Sequence, residues 1–103
     1  MMNPAELVAR LEEIERDLET RGNLLEEAAQ QWYVSKRHKE KARAVAFLSA
    51  SGTVAERQAT ADQQTATDGV QEEALYESLK AVVRTLEARA SIAQTLCRVN
   101  GRG

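Results

Sequence analysis

Several features that proteins often use for chemistry are scarce or absent in this 103-residue chain. The single cysteine, Cys97, excludes an intrachain disulfide and a cysteine-rich zinc site. Only four residues are aromatic, so the core must be built mainly from alanine, leucine and valine. Gly52 stands alone rather than in a glycine-rich phosphate loop. Because no run of about 18 apolar residues occurs, no membrane span is predicted.

Catalytic and targeting motifs are missing as well. The first residues lack a basic start followed by an apolar run, so we expect no signal peptide and a cytoplasmic location. No Glu-x-x-His pair is present. Adjacent carboxylates, such as Glu12 and Glu13, would point about 100° apart on a helix and could not share a substrate. We therefore predict no metal, no cofactor and no enzymatic activity.

A regular spacing of apolar or small residues dominates what is present. Upstream of Ser51 these residues recur in alternating steps of three and four, and downstream a second series follows the same rule. This is the period of a coiled-coil contact line. The first series contains Leu7, Leu11, Ile14, Leu18, Leu25, Ala28, Trp32, Ala42 and Ala46, and the second contains Leu75, Leu79, Val82, Leu86, Ala93 and Leu96.

Helix boundaries follow from local sequence. Asn3 is a good N-cap, with Pro4 in the first helical position, and Gly52 can close a helix before a capping box that Thr53 and Glu56 form. We predict a single domain over residues 1–103, with helix one at residues 4–50, a turn at 51–53, helix two at 54–98 and a frayed tail at 99–103. Gly22 and Gly69 are points at which a helix could break, although continuous helices are favoured.

The predicted fold is all-α, a long antiparallel helical hairpin of the coiled-coil type. Residue i of the first helix should face roughly residue 103 minus i of the second. Such a hairpin buries only one thin line of side chains, so assembly into a four-helix bundle, as a homodimer or tetramer, is expected. In this arrangement His38 and Cys97 lie far apart along the hairpin, which argues against a thiol enzyme.

Charge is distributed unevenly along helix one. Residues 6–27 hold eight acidic and three basic residues, whereas residues 36–43 hold five basic residues and only Glu40 as an acid. The predicted antiparallel partner of this segment supplies only Asp62, so the positive charge would be poorly neutralised. Clustered cations beside aromatic rings suit binding to an anionic partner. The predicted binding residues are Trp32, Tyr33, Lys36, Arg37, Lys39, Lys41 and Arg43.

Three interpretations of this basic segment remain open. It can be a solvated or dimer-facing cluster, a surface that binds another protein, or a site for single-stranded nucleic acid. Trp32 falls on the coiled-coil line, where an aromatic side chain is more often part of the core, and the cations are spread around the helix. These two features favour the first interpretation, then protein binding, and place nucleic acid last.

Residues around the turn resemble a known group of proteins. The run from Phe47 to Ala59, with Gly52, Thr53, Val54, Ala55, Glu56 and Arg57 as its most specific part, is similar to small helical proteins from the early regions of tailed phages and prophages of actinobacteria. This resemblance implies a phage accessory protein in an infected cytoplasm, from a group whose genes tend to lie beside recombination or replication genes. We predict a non-enzymatic protein that binds a partner of the recombination or replication machinery or a host factor. It carries no catalytic residues over to this chain. Residues 36–43 are more basic than we would expect for a member of this group.

Overall fold

The computed structural model describes residues 3–102, and all regular secondary structure within them is helical. Helix α1 covers Pro4–Ser49, α2 covers Val54–Thr65, and α3 covers Val70–Arg102. The all-α prediction is confirmed. None of the three helices combines the length and the apolar character that crossing a membrane would require.

The start of α1 is a reciprocal capping box, as the sequence predicted. The Glu6 backbone N–H donates to Asn3 Oδ1 at 2.9 Å, and the Asn3 N–H donates to Glu6 Oε2 at 3.3 Å. Two N–H groups that a helix start would otherwise leave unpaired are thereby satisfied. The helix then continues through Gly22 without a break, so that the first of the two proposed kinks does not occur.

The turn between α1 and α2 has the chemistry expected from its sequence. Gly52 has a φ of +108°, which a residue with a side chain rarely adopts. The Thr53 hydroxyl oxygen then accepts from the Glu56 N–H at 3.2 Å and caps α2. The same hydroxyl donates to Glu56 Oε1, so the glutamate returns a bond to the threonine side chain.

The prediction of one helix over residues 54–98 is wrong, because the chain breaks between α2 and α3. Tight turns replace helical geometry here: the Asp68 N–H donates to the Thr65 carbonyl at 3.1 Å and the Val70 N–H to the Thr67 carbonyl at 3.4 Å. Gly69 has a φ of +76°, outside the helical region, and its carbonyl accepts the first bond of α3 from Glu73. The left-handed backbone of Gly69 is the physical reason for the break.

The predicted end of the second helix is also wrong. Helix α3 continues to Arg102 instead of fraying from residue 99. Gly101 lies within it, and glycine takes helical angles when its neighbours continue the hydrogen-bond pattern. Gly103 lies outside the described residues.

The contacts of the chain fall into two compact units, Ala28–Tyr76 and the combination of residues 1–27 with 77–103. Within Ala28–Tyr76, Trp32 contacts Tyr76 and Arg43 contacts Asp62, so the two sides run antiparallel. Within the other unit, Leu7 shares a groove with Leu96, and Thr20 shares one with Leu86, which is again an antiparallel order. The predicted reversal is therefore present in each unit, while a single domain over residues 1–103 stays a prediction.

The buried residues of α1 follow the predicted spacing of three and four, except at one position. Leu7 and Ala28 are buried, and Leu11, Ile14, Leu18, Leu25, Trp32 and Ala46 are half-buried. Ala42 is exposed, contrary to the prediction. Gly22 also lies on this line, between Leu18 and Leu25, and is half-buried.

The buried line of α3 was predicted only in part. Leu79, Leu86 and Ala93 lie on it, but Leu75, Val82 and Leu96 are exposed. The line runs instead through residues 79, 83, 86, 90, 93 and 97, in alternating steps of four and three. It includes the small side chains of Ala90 and Cys97, which a search for large apolar residues passes over. We call residues 79, 83, 86, 90, 93 and 97 the buried line of α3.

Two glycines are predicted to respond to alanine in opposite directions. Gly22 lies in a helix with nothing within 4 Å of an added Cβ, so Gly22→Ala should raise the free energy of unfolding by about 1 kcal/mol. Gly69→Ala should lower it by about 1 to 2 kcal/mol, because its backbone is left-handed and the new Cβ would lie 3.2 Å from Ser35 Oγ. Urea denaturation followed by circular dichroism measures both. Equal effects of the same sign would contradict the assigned backbone angles.

Candidate functional site

Trp32, the first residue of the predicted binding segment, forms a stacked pair with an aromatic ring outside that segment. Trp32 stacks on Tyr76, with ring centroids 5.0 Å apart and an angle of 7° between the planes. Trp32 is half-buried on the inner side of α1, and its carbonyl accepts a bond of 2.8 Å from Ser35 Oγ. One face of the indole ring is therefore covered from within the chain, which makes Trp32 a packing residue of the unit Ala28–Tyr76.

Three of the predicted basic residues line one groove with Trp32, and Lys36 lies nearest its ring. Lys36 Nζ is 5.4 Å from the centroid of Trp32, a favourable position for a cation over an aromatic face. Arg43 Nε binds Asp62 Oδ1 at 2.7 Å, and both side chains are more than half exposed, so solvent screens this ion pair. Lys36, Lys39 and Arg43 line a groove of about 390 Å³ together with carboxylates from the other side of the unit, Asp68 and Glu73.

The positive charge of this segment is better neutralised than the sequence suggested. The expected partner segment, residues 60–67, supplied only Asp62, but Asp68 and Glu73 also face the groove. The difference arises because the pairing rule places residue 71 opposite Trp32, whereas Trp32 stacks on Tyr76. Ala28–Tyr76 contains six basic residues and six acidic residues. The unit as a whole is neutral.

A different set of predicted residues faces solvent on the opposite side of α1. Tyr33 is 55% exposed, and Arg37 lies over its ring at 5.4 Å while Arg37 Nη2 lies 3.2 Å from the phenolic oxygen as a hydrogen-bond donor. Lys41 is one further turn along and is exposed. Spacings of four residues place all three side chains on one face of the helix.

Exposed apolar side chains extend this face. Val34 and Val45 are each more than half exposed, and Leu48 is 77% exposed. At about 100° per residue, these positions fall in the same sector as Arg37 and Lys41. We call this surface the outer face of α1, and it consists of Tyr33, Val34, Arg37, Lys41, Val45 and Leu48.

The seven predicted site residues thus do not form one site. Trp32, Lys36, Lys39 and Arg43 belong to the groove side, and Tyr33, Arg37 and Lys41 to the outer face. Sequence reasoning missed Val34, Val45 and Leu48. Their three-four spacing along α1, with Lys41 between them, would have identified them if it had been tested as a second line beside the buried one.

An apolar groove lies next to the outer face, near the end of α1. Its volume is about 490 Å³, and Ala44, Phe47 and Leu48 line it from α1 while Gln58 and Ala61 line it from α2. Leu48 is shared between the groove and the outer face. The apolar surface of the unit therefore continues from α1 toward α2.

Residues that could bind a metal or attack a substrate are dispersed. Among the described residues, no three His, Cys, Asp or Glu side chains come together as metal ligands. His38 belongs to the unit Ala28–Tyr76, whereas Cys97 is half-buried in the buried line of α3 in the other unit. The prediction that these two residues do not cooperate stays a prediction.

Comparisons with known proteins identified no relative of this chain. No protein-family model matches the chain, and neither a curated protein nor a solved structure was found to be similar to it.

Proposed function

We propose that this chain is a non-enzymatic interaction protein that binds a protein partner through the outer face of α1. The observation that carries the proposal is the exposed pair of Tyr33 and Arg37. Tyr33 is 55% exposed, and hydration of an exposed aromatic ring is unfavourable. Arg37 holds the ring in one position by a hydrogen bond and by a cation–ring contact. A ring held in this way loses little side-chain freedom when a partner covers it.

The composition of the outer face indicates what kind of partner it would suit. Val34 supplies apolar area beside Tyr33, Val45 and Leu48 supply it further along the helix, and Arg37 and Lys41 supply positive charge. Aromatic and arginine side chains are enriched among the residues that contribute most to binding free energy. The complementary surface is an amphipathic segment, apolar along one line and acidic beside it.

The biological setting follows from the resemblance to small helical phage proteins. It suggests a phage accessory protein in the cytoplasm of the bacterial host, acting on recombination or replication machinery or on a host defence factor. The alternative is a protein that binds single-stranded nucleic acid through residues 36–43. The carboxylates of Asp62, Asp68 and Glu73 lower the positive potential on the groove side and make this alternative weaker.

A charge reversal on the outer face tests the proposal. Arg37→Glu with Lys41→Glu should lower recovery of the partner from an actinobacterial lysate by at least about tenfold, because like charges would then meet across the interface. The matched control is Lys36→Glu with Lys39→Glu, which makes the same charge change on the groove side. Affinity capture with quantitative mass spectrometry measures recovery for both double variants and the wild type.

The outcomes separate the two functions. A protein whose recovery depends on the outer face and not on the groove side supports the proposal, whereas equal recovery with both double variants contradicts it. Binding of a labelled single-stranded oligonucleotide that weakens steeply with salt, and that both double variants reduce, would support the nucleic-acid alternative instead.

A further inference from the structure

The apolar groove between α1 and α2 opens beside the outer face of α1. Phe47 is half-buried and Ala61 is only 1% exposed, so they form its inner end, whereas Ala44 and Leu48 are exposed at its mouth. At about 100° per residue, Ala44 lies between Phe47 and Leu48 around α1. Because alanine carries only a methyl group, it leaves the mouth of the groove open to a side chain from another molecule.

The charges beside the groove favour an acidic occupant. Arg43 forms an ion pair with Asp62, but among the described residues Arg37 and Lys41 have no carboxylate at ion-pair distance. Glu40 also lines the groove and lies about 60 to 100° around α1 from these two cations. Acidic side chains of an occupant therefore fit on the side of the groove toward the outer face, where they meet Arg37 and Lys41.

The surroundings of the groove also select the shape of its occupant. All regular secondary structure of the described residues is helical, so no sheet edge is there to pair with an extended strand. A proline-rich segment docks in a groove lined by several aromatic rings, whereas Phe47 is the one aromatic residue that lines this groove in the described chain. An amphipathic helix fits an apolar groove of this kind. The outer face from Tyr33 to Leu48 is about 22 Å long, which matches a partner helix of about 15 residues.

A second copy of this chain does not offer such a helix among its described residues. Residues 6–27 are acidic, but their exposed large apolar side chains, Val8 and Leu24, lie about 160° apart around α1. Residues 70–76 are acidic as well, but their two exposed large apolar side chains lie about 140° apart. Residues 77–102 have exposed apolar side chains in steps of three and four, but they hold five basic and only two acidic residues. A helix of a different protein is therefore the better match.

We propose that the groove between α1 and α2 takes a large apolar side chain from an acidic amphipathic helix of a different protein. The acidic side chains of that helix meet Arg37 and Lys41, and its apolar line lies along the outer face. This inference rests on the proposed function. It goes further in naming the form of the partner segment and in assigning its anchor to the groove at Ala44.

A displayed library of helical peptides of about 15 residues tests this inference. Each peptide keeps one apolar line and carries glutamate, glutamine or lysine beside it, and selection on the wild type should enrich glutamate over lysine by at least about tenfold. Ala44→Phe should weaken binding of the selected peptides by at least about tenfold, because the new ring fills the mouth of the groove. The matched control is Ala42→Phe, which adds the same ring at an exposed position on the opposite side of α1 and should bind like the wild type. Fluorescence anisotropy of labelled peptides measures the affinities.

The outcomes separate this inference from the proposed function. The inference is wrong if selection shows no preference for glutamate, or if Ala44→Phe binds the selected peptides as tightly as the wild type does. It is also wrong if Arg37→Glu with Lys41→Glu abolishes recovery of the partner from a lysate while Ala44→Phe leaves recovery unchanged, and in that case the proposed function stands. Recovery that neither variant changes contradicts the proposed function itself.

Two further measurements make the result independent of folding and of self-association. Leu48 is 77% exposed, so Leu48→Glu should keep the helix content in circular dichroism and still weaken the selected acidic peptides by at least about tenfold. Tight binding of these peptides to folded Leu48→Glu would overturn the inference. Light scattering gives the solution mass, and a mass of twice 11.4 kDa that Ala44→Phe reduces to one chain would make a second copy the occupant instead.

Discussion

Trp32→Ala is expected to lower the free energy of unfolding by about 2 to 3 kcal/mol, because it removes a half-buried indole and its stacking contact with Tyr76. The loss should be smaller than for a fully buried tryptophan, since part of the ring already contacts water. Trp32→Phe should recover about half of it by restoring an aromatic face. Urea denaturation followed by circular dichroism measures the change, because the substitution removes the sole tryptophan fluorophore.

Tyr33→Ala is the matched control for Trp32→Ala. Tyr33 is the next residue in the chain and is also aromatic, but it lies on the outer face of α1, so its removal should cost less than about 0.5 kcal/mol. Partner recovery should show the reverse order, with a large loss for Tyr33→Ala and little for folded Trp32→Ala. A large loss of stability in Tyr33→Ala, or none in Trp32→Ala, would contradict the assignment of the two rings.

Leu86→Ala is expected to cost about 3 kcal/mol of unfolding free energy. Leu86 is only 7% exposed on the buried line of α3, so truncation removes buried methyl groups and leaves a cavity. Only seven apolar side chains are identified as buried in the described chain, and most of them are alanine or valine. A single leucine therefore makes up a large share of the core. Thermal and urea denaturation of the purified variant measure the effect.

The same substitution at Leu48 provides the control. Leu48 is 77% exposed on the outer face of α1, so Leu48→Ala should change the free energy of unfolding by less than about 0.5 kcal/mol. If Leu48→Ala destabilises the protein as much as Leu86→Ala, then the assignment of Leu48 to a solvent-facing surface is wrong. The pair thus separates the core of the molecule from the surface proposed to bind a partner.

The outer face of α1 combines a fixed aromatic ring with arginine and lysine, which suits recognition of an acidic amphipathic segment.

The sequence predicted which residue types belong to the candidate site. It did not predict which of these residues lie on the same surface. Tyr33, Arg37 and Lys41 stand at spacings of four, and this alone places them together on a helix. Whether Lys36 meets a carboxylate or solvent depends on the opposite helix, and there the break at residues 66–69 shifts the partners of α1. The contact of Trp32 with Tyr76 results from that shift. The spacing of residues within α1 gives no information about it.

What the sequence determined by itself is local: the capping box of Asn3 and Glu6, the turn at Gly52, the helical character of nearly every residue and the period of the buried line on α1. These depend on residues within about one helical turn of each other, and short-range hydrogen bonding and steric limits set them. Only the tertiary structure decided which of two equally regular lines on α3 is buried. Arg89 and Leu96 have larger side chains than Ala90 and Cys97, which lie on the buried line, whereas Val82 and Val83 are the same residue type and only Val83 is buried. Side-chain size within α3 therefore does not select the buried line. The contact with α1 selects it, and that contact joins residues far apart in the chain.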